Sequence, residues 1–247
     1  MMRRIRLLLP LLAVALSGCE GLDDALNAER VRGSGKVTQE QRDVRNFNEV
    51  TLAASGELNI QQGDRESLSI EAEDNIMPRI KTDVEEGRLV IRPERGVSLS
   101  PTVPIHYRLM VKELRALELS GSGKIRTGGI RSQDFKVRLP GSGEIEMDEL
   151  SADSLTADIS GSGSIELPGK VDSQKVLISG SGDYHARNLR SRSAEVSISG
   201  SGESTVWVLE DLSAHISGSG NIEYYGNPKV SKHISGSGGI NNAGDHR

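Results

Sequence analysis

The chain has 247 residues, a formal net charge of −5, one cysteine, one tryptophan and two phenylalanines. A lone thiol excludes an internal disulfide and any cysteine-built metal or redox centre, and the acidic balance disfavours nucleic acid as a partner. With so few aromatics, a core must be assembled from Ile, Leu, Val and Ala in thin layers.

The first element reads as an export signal. "MMRRIR" is a basic stretch, and Leu7 to Leu16 form a ten-residue apolar run broken by Pro10. A spanning helix needs about 20 apolar residues, so this run is too short to stay in a bilayer. It ends in Leu16-Ser17-Gly18-Cys19, the pattern of a bacterial lipobox. The small Ser17 and Gly18 admit a processing peptidase, and the Cys19 thiol accepts the lipid. Residues 1–18 are therefore expected to be a signal peptide, cut between Gly18 and Cys19. The lipidated Cys19 then begins a tether over 19–32, with a helical turn or two in "LDDALNAERVR". The expected partner is a membrane, reached through this N-terminal anchor. Glu20, in place of an Asp after the cysteine, favours the outer membrane of the envelope over the inner.

Residues 33–112 read as an N-terminal β section that caps the remainder of the chain. "FNEVTLAAS", "GELNIQQG", "SLSIEAED", "RLVIRPE" and "IHYRLMV" alternate or run apolar as strands do. "GSG" at Gly33–Gly35 and "ASG" at Ala54–Gly56 hint at a repeat that insertions interrupt.

From 113 to 247 that repeat is explicit. Gly-Ser-Gly begins at Gly121, Gly141, Gly161, Gly180, Gly200, Gly218 and Gly236, a period of about 20 residues that tightens slightly toward the end. A flexible linker has no reason to keep a period, whereas a solenoid coil does. Around the third copy Ala157, Ile159, Gly161, Gly163, Ile165 and Leu167 share one parity, with Asp158, Ser160, Ser162, Ser164 and Glu166 on the other. That is the period of a strand with one buried face. The glycines either let backbone walls approach closely or turn a corner with positive φ. Coils stacked about 4.8 Å apart place equivalent residues in columns. Glu118, Arg138 and Asp158 then alternate in sign, Lys124 meets Glu144, Arg126 meets Glu146, and the central serines form a ladder of hydroxyls. Lys232, at an otherwise apolar inward position, suits a terminal coil. The expected fold is all-β, a right-handed parallel β-helix of 18–20-residue coils with the N-terminal β section as its cap.

The stretches "GSGKVTQEQRDVRNFNEV" and "GELNIQQGDRESLSIEAEDNIMPRIKTDVEEGRLVI", followed by the "SGSG" coils and "GNPKV", resemble the bacterial auto-transporter adhesin head GIN domain family. The resemblance covers nearly everything from Gly33 onward and implies a secreted or surface β-helix with an adhesive role. "LPGSG" departs from it: Pro140 replaces the usual serine and has no N–H, so one rung should lose a ladder bond.

No residue set reads as a catalytic site, and no cofactor or metal is expected. His215 and His233 share an outward column, but two imidazoles without a third ligand are ordinary exposed strand residues. Glu166, Asp183, Glu203 and Glu223 read as a solvated acidic strip. Trp207 and Tyr225, of outward parity, are the candidate surface-binding residues for a glycan or an envelope or surface protein partner. Tyr224 has inward parity and belongs to the core. The expected function is adhesin-like binding without catalysis. The alternatives are a β-helix polysaccharide lyase or hydrolase, which would need longer coils with loops walling a cleft, and a structural or stress-related envelope component without a ligand.

Overall fold

The computed structural model describes residues 28–246. The expectations for the signal peptide, the cut after Gly18 and lipidation of Cys19 lie outside the described residues.

The chain winds as a β-solenoid with three faces. One face stacks Ala116–Leu119, Asp134–Leu139, the later parts of Glu144–Ile159, Gly169–Ile178, Asp183–Ile198 and Glu203–Ile216, and finally Lys229–Ile234, every pair parallel. A second face stacks Lys124–Arg131, the early parts of the same long strands, Ser164–Glu166, Asn221–Tyr225 and Gly239–Asn242. The tripeptides turn the corner between these two faces. A shorter third face carries Arg131, Ser151, Lys170 and Arg190 in register.

Inside, like stacks on like. Ile125, Ile145 and Ile165 lie in one column, and Ile159, Ile178, Ile198 and Ile216 in another. All seven are buried. Each such side chain contributes roughly 1.5–3 kcal/mol by leaving water, so a thin aliphatic core accumulates stability coil by coil. Outside, the charge columns pair as their spacing predicts. Lys124 Nζ lies 2.8 Å from Glu144, Arg126 Nε 2.9 Å from Glu146, and Arg138 3.8 Å from Glu118. The Lys124 ammonium, helped by Arg126, pulls the Glu146 carboxyl down to about 2.

The corner glycines resolve the choice left open by sequence. At Gly141, Gly161, Gly180, Gly200 and Gly218 an added β-carbon would overlap the carbonyl oxygen of the preceding coil's equivalent glycine. The second glycine is closed from two sides: at Gly182 the β-carbon would stand 2.5 Å from the Gly163 carbonyl oxygen and 2.6 Å from Ile159 Cγ2. Close approach along the stack, rather than positive φ or contact between opposite walls, is what demands glycine here. The bonds along the serine column also differ from expectation. They are backbone bonds, with Ser181, Ser201 and Ser219 N–H donating to Gly161, Gly180 and Gly200 carbonyls at 3.1 Å, while the hydroxyls face solvent. At Pro140 the bond that Ser120 and Ser160 N–H make to the preceding coil is missing, and only the Gly141 N–H reaches Leu119 O, at 3.4 Å.

The N-terminal section joins the stack out of sequence order. Glu49–Leu52 and Glu57–Gln62 pair in parallel with Ala116–Leu119 and Lys124–Arg131, which puts Ala54–Gly56 at the tripeptide corner. Beyond them lie Arg88–Pro93 and His106–Val111, also parallel. Ile80–Glu85 and Ser67–Glu73 flank these antiparallel, and Val37–Arg42 adds to Ser67–Glu73. Gly33–Gly35, by contrast, is no rung. It lies against the buried Glu73 carboxylate, which accepts the Gly35 N–H at 2.6 Å and the Thr102 N–H at 2.9 Å. Glu29–Arg32, read from sequence as the end of a tether with helical turns, is a strand paired with Val97–Ser100.

At the other end, Lys232 takes the inward column after Val196 and Ala214. Its ammonium donates to Ile240 O at 3.0 Å and sits 5.4 Å from the centre of the Tyr224 ring. A charge there closes the open end of the aliphatic column against further strand addition.

Candidate functional site

A slip in the repeat builds the site. Ala186 pairs with Val206, but the next pair is Arg190 with Trp207, so Arg187, Asn188 and Leu189 bulge out of the ladder. Leu189 turns in and is buried, while Arg187 and Asn188 stay exposed beside Trp207. One coil further, Tyr225 stands directly against Trp207. Bulges re-aim side chains in this way.

The two candidate aromatics are therefore adjacent, and both are half-buried rather than openly exposed. The covering group is the chain's own His246. Its ring lies 4.0 Å from the Trp207 ring and only 9° from parallel, and meets Tyr225 edge-on at 5.9 Å. A hydrogen bond of 3.2 Å between His246 Nε2 and Asn188 Oδ1 fixes the imidazole in place. The Arg187 guanidinium lies 4.9 Å from the centre of the Tyr225 ring, a cation–π contact.

Beneath this surface runs a buried polar relay that sequence reasoning did not identify. Tyr184 donates its phenolic proton to Gln174 Oε1 at 3.0 Å, and Gln174 Nε2 donates to Ser191 Oγ at 2.8 Å. Ser191 Oγ in turn donates to the Trp207 carbonyl at 2.9 Å. All three side chains are buried. Burial pushes the Tyr184 phenol far up, which keeps it a donor at any ordinary pH. The signal available was a break in the isoleucine column: Tyr184 follows Ile165, and the small buried Ser204 follows Tyr184, compensating its volume.

Next to Tyr225 opens a cleft of about 280 Å³, lined among others by Glu166, His185, Thr205 and Glu223, which form one column. The acidic strip expected from sequence is thus two columns, because Asp183 and Glu203 pair in the other. His215 and His233 are neighbours in one column, with ring centres 6.1 Å apart and planes tilted by 46°, but His215 Nε2 is engaged by Ser213 Oγ at 3.0 Å. Among the described residues no three His, Cys, Asp or Glu side chains converge on a metal position. Tyr224 is buried in the core, as its parity predicts.

A family model described as "Putative auto-transporter adhesin, head GIN domain" matches residues 46–228. No curated protein matches the chain. Among solved structures, a "Putative lipid binding protein" from Parabacteroides distasonis is 29% identical, with a TM-score of 0.76, over 87% of this chain and 100% of that one. A "putative adhesin" from Bacteroides fragilis is 23% identical, TM-score 0.80, covering 86% and 99%. Another "putative adhesin", from Parabacteroides merdae, is 22% identical, TM-score 0.70, covering 87% and 100%. At those identities the last two speak for the fold alone.

Proposed function

The chain belongs to the auto-transporter adhesin head GIN domain family, and on that footing we propose that it is an adhesin-like protein of the bacterial cell envelope. It is held on a membrane by a lipid on Cys19, the outer membrane by the Glu20 rule, and it binds saccharide surfaces without catalysis. The observation that carries this reading is the Trp207–Tyr225 platform. A flat ring already lies on Trp207 at stacking distance, in the position a sugar face would take. Aromatics of this kind supply most of the contact energy in a recognition surface.

The geometry of the cleft argues against glycoside hydrolysis. Glu166 and Glu223 are three coil steps apart in their column, with His185 and Thr205 between them. Their backbones are then separated by roughly 14 Å, at about 4.8 Å per step. Paired glycosidase carboxylates stand about 5 to 9.5 Å apart. The name of one relative points to lipid, but charged and polar residues predominate in the lining of the clefts here, which suits an acyl chain poorly.

The test uses the full chain and a panel of envelope and host glycans, scored for retention and for new reducing ends. Retention that Trp207→Ala abolishes, with no new ends, is the expected result. Turnover of any glycan, lost on substituting a single Asp or Glu, overturns the non-catalytic reading.

A further inference from the structure

The aromatic pair is the end of a longer line. Arg131, Ser151, Lys170, Arg190, Trp207 and Tyr225 are successive register partners on adjacent coils. Five steps of about 4.8 Å give the line a length of roughly 24 Å along the solenoid axis. Arg131, Lys170 and Arg190 are exposed, and they line a groove of about 540 Å³.

This line departs from the charge pairing that most columns of the molecule show. Columns at Lys124/Glu144, Arg126/Glu146, Arg138/Glu118 and Lys175/Glu195 set opposite charges against each other within ion-pair distance. Lys170 and Arg190 instead set like charges in register, which costs stability. Among the described residues no carboxylate lies within ion-pair distance of Arg131, Lys170 or Arg190. Like charges also meet in register at Glu146/Glu166, Lys81/Arg92 and Asp183/Glu203, but each of these has a local reason. Glu146 is paired with Lys124 and Arg126, Lys81 with Glu94 and Arg92 with Asp83, and Asp183 Oδ1 accepts the Glu203 N–H at 3.2 Å. The cation row has no such reason within the chain. A like-charge row that nothing in the chain neutralises marks a site whose partner comes from outside.

We infer that the line is the binding track for a linear acidic polysaccharide, a polymer of sugar rings carrying carboxylates. This deepens the saccharide reading above and rests on it. Sugar rings stack at Trp207 and Tyr225, and successive carboxylates meet Arg190, Lys170 and Arg131. Asp153 and Asp172 line the same groove beside the cations and repel any anionic group that strays from the track. The chain is acidic overall, which weakens its attraction for a polymer as densely charged as nucleic acid. Spaced cations ending in an aromatic pair fit one charge per ring better than one charge per phosphate.

The experiment measures binding of the full chain to polygalacturonate, to its fully methyl-esterified form and to single-stranded DNA. The expected result is salt-sensitive binding to polygalacturonate, weaker binding to the ester, and least to DNA. K170Q/R190Q should weaken polygalacturonate binding at least about tenfold while leaving the melting temperature unchanged or higher, since a repulsion is removed. W207A should weaken acid and ester forms alike. Equal binding of acid and ester, tighter binding to DNA, or unchanged binding by K170Q/R190Q overturns the inference. Loss in W207A with no change in K170Q/R190Q would leave the aromatic platform standing and sink the cation track. The reverse pattern would keep the track and remove the platform.

Discussion

Arg190 and Trp207 stand opposite one another on adjacent coils, although the stretch of chain joining them is shorter than the one joining Lys170 to Arg190. The shortened step is absorbed by the bulge at Arg187–Leu189, and that bulge presents Asn188 to His246. Because Trp207 is the only tryptophan, its fluorescence reports this contact alone. His246→Ala should shift the emission to the red and increase quenching by acrylamide, as a ring that shields the indole is removed. Asn188→Ala should move both in the same direction but less. An unchanged spectrum in His246→Ala would mean that the stack is not formed in solution.

The corner glycines should tolerate not even a methyl group. Gly161→Ala places a β-carbon on the Gly141 carbonyl, so the coils must separate locally. The expected cost is about 1–3 kcal/mol or more, as for overpacking of a rigid interior. The exposed Ser162→Ala should cost little. Thermal melting of the two variants compares them directly, and equal melting temperatures would contradict this account of the repeat.

Removing one oxygen from the buried relay should be felt throughout it. Tyr184→Phe leaves Gln174 Oε1 without its donor, in a position that water does not reach. A buried acceptor stripped of its partner costs about 1–3 kcal/mol. Denaturant unfolding should show that loss. A Tyr184→Phe chain as stable as the parent would show that the relay does not hold the strand.

Acid should loosen the N-terminal section first. Hydrogen bonds from Thr102, foremost its hydroxyl, and from the Gly35 N–H hold the Glu73 carboxyl below the usual carboxylate range. A depressed folded pKa contributes stability that is complete above the unfolded value, near 4.3, and lost as pH falls through the folded value. Amide exchange at Gly35 and Thr102 should therefore accelerate below about pH 4, ahead of amides in the central coils. Glu73→Gln should remove most of that pH dependence. Uniform acceleration over the whole chain would show that Glu73 is not the clasp.

The columns were legible in the sequence because each is written once per coil, and the regular repeat superimposes them. Lys124 on Glu144 and Ile145 on Ile165 follow from counting. Single departures do not average in this way. The Gly33–Gly35 tripeptide matched the motif yet lacks the preceding serine, and it serves Glu73 instead. The placement of Arg88–Pro93 outside Glu49–Leu52 reverses chain order, which no periodicity records. The meeting of His246 with Trp207 depends on the bulge at Arg187–Leu189 and on the path of the chain after Asn242. Parity identified Trp207 and Tyr225 as outward-facing, but only the register of adjacent coils shows that they touch one platform. The cation row was readable in principle, since Lys170 and Arg190 stand one repeat apart, but it lies on the third face, away from the tripeptide used for alignment.

If Trp207 receives the ligand in the place His246 now occupies, saccharide and imidazole must compete for one indole face. A titration of the full chain with a retained saccharide, following Trp207 emission and repeated with His246→Ala, measures that competition. The parent chain should show a saturable change in emission, and the variant should bind more tightly, because no internal ring has to be displaced. Saccharide that binds both chains equally and leaves Trp207 emission unchanged would contradict the platform as the binding site.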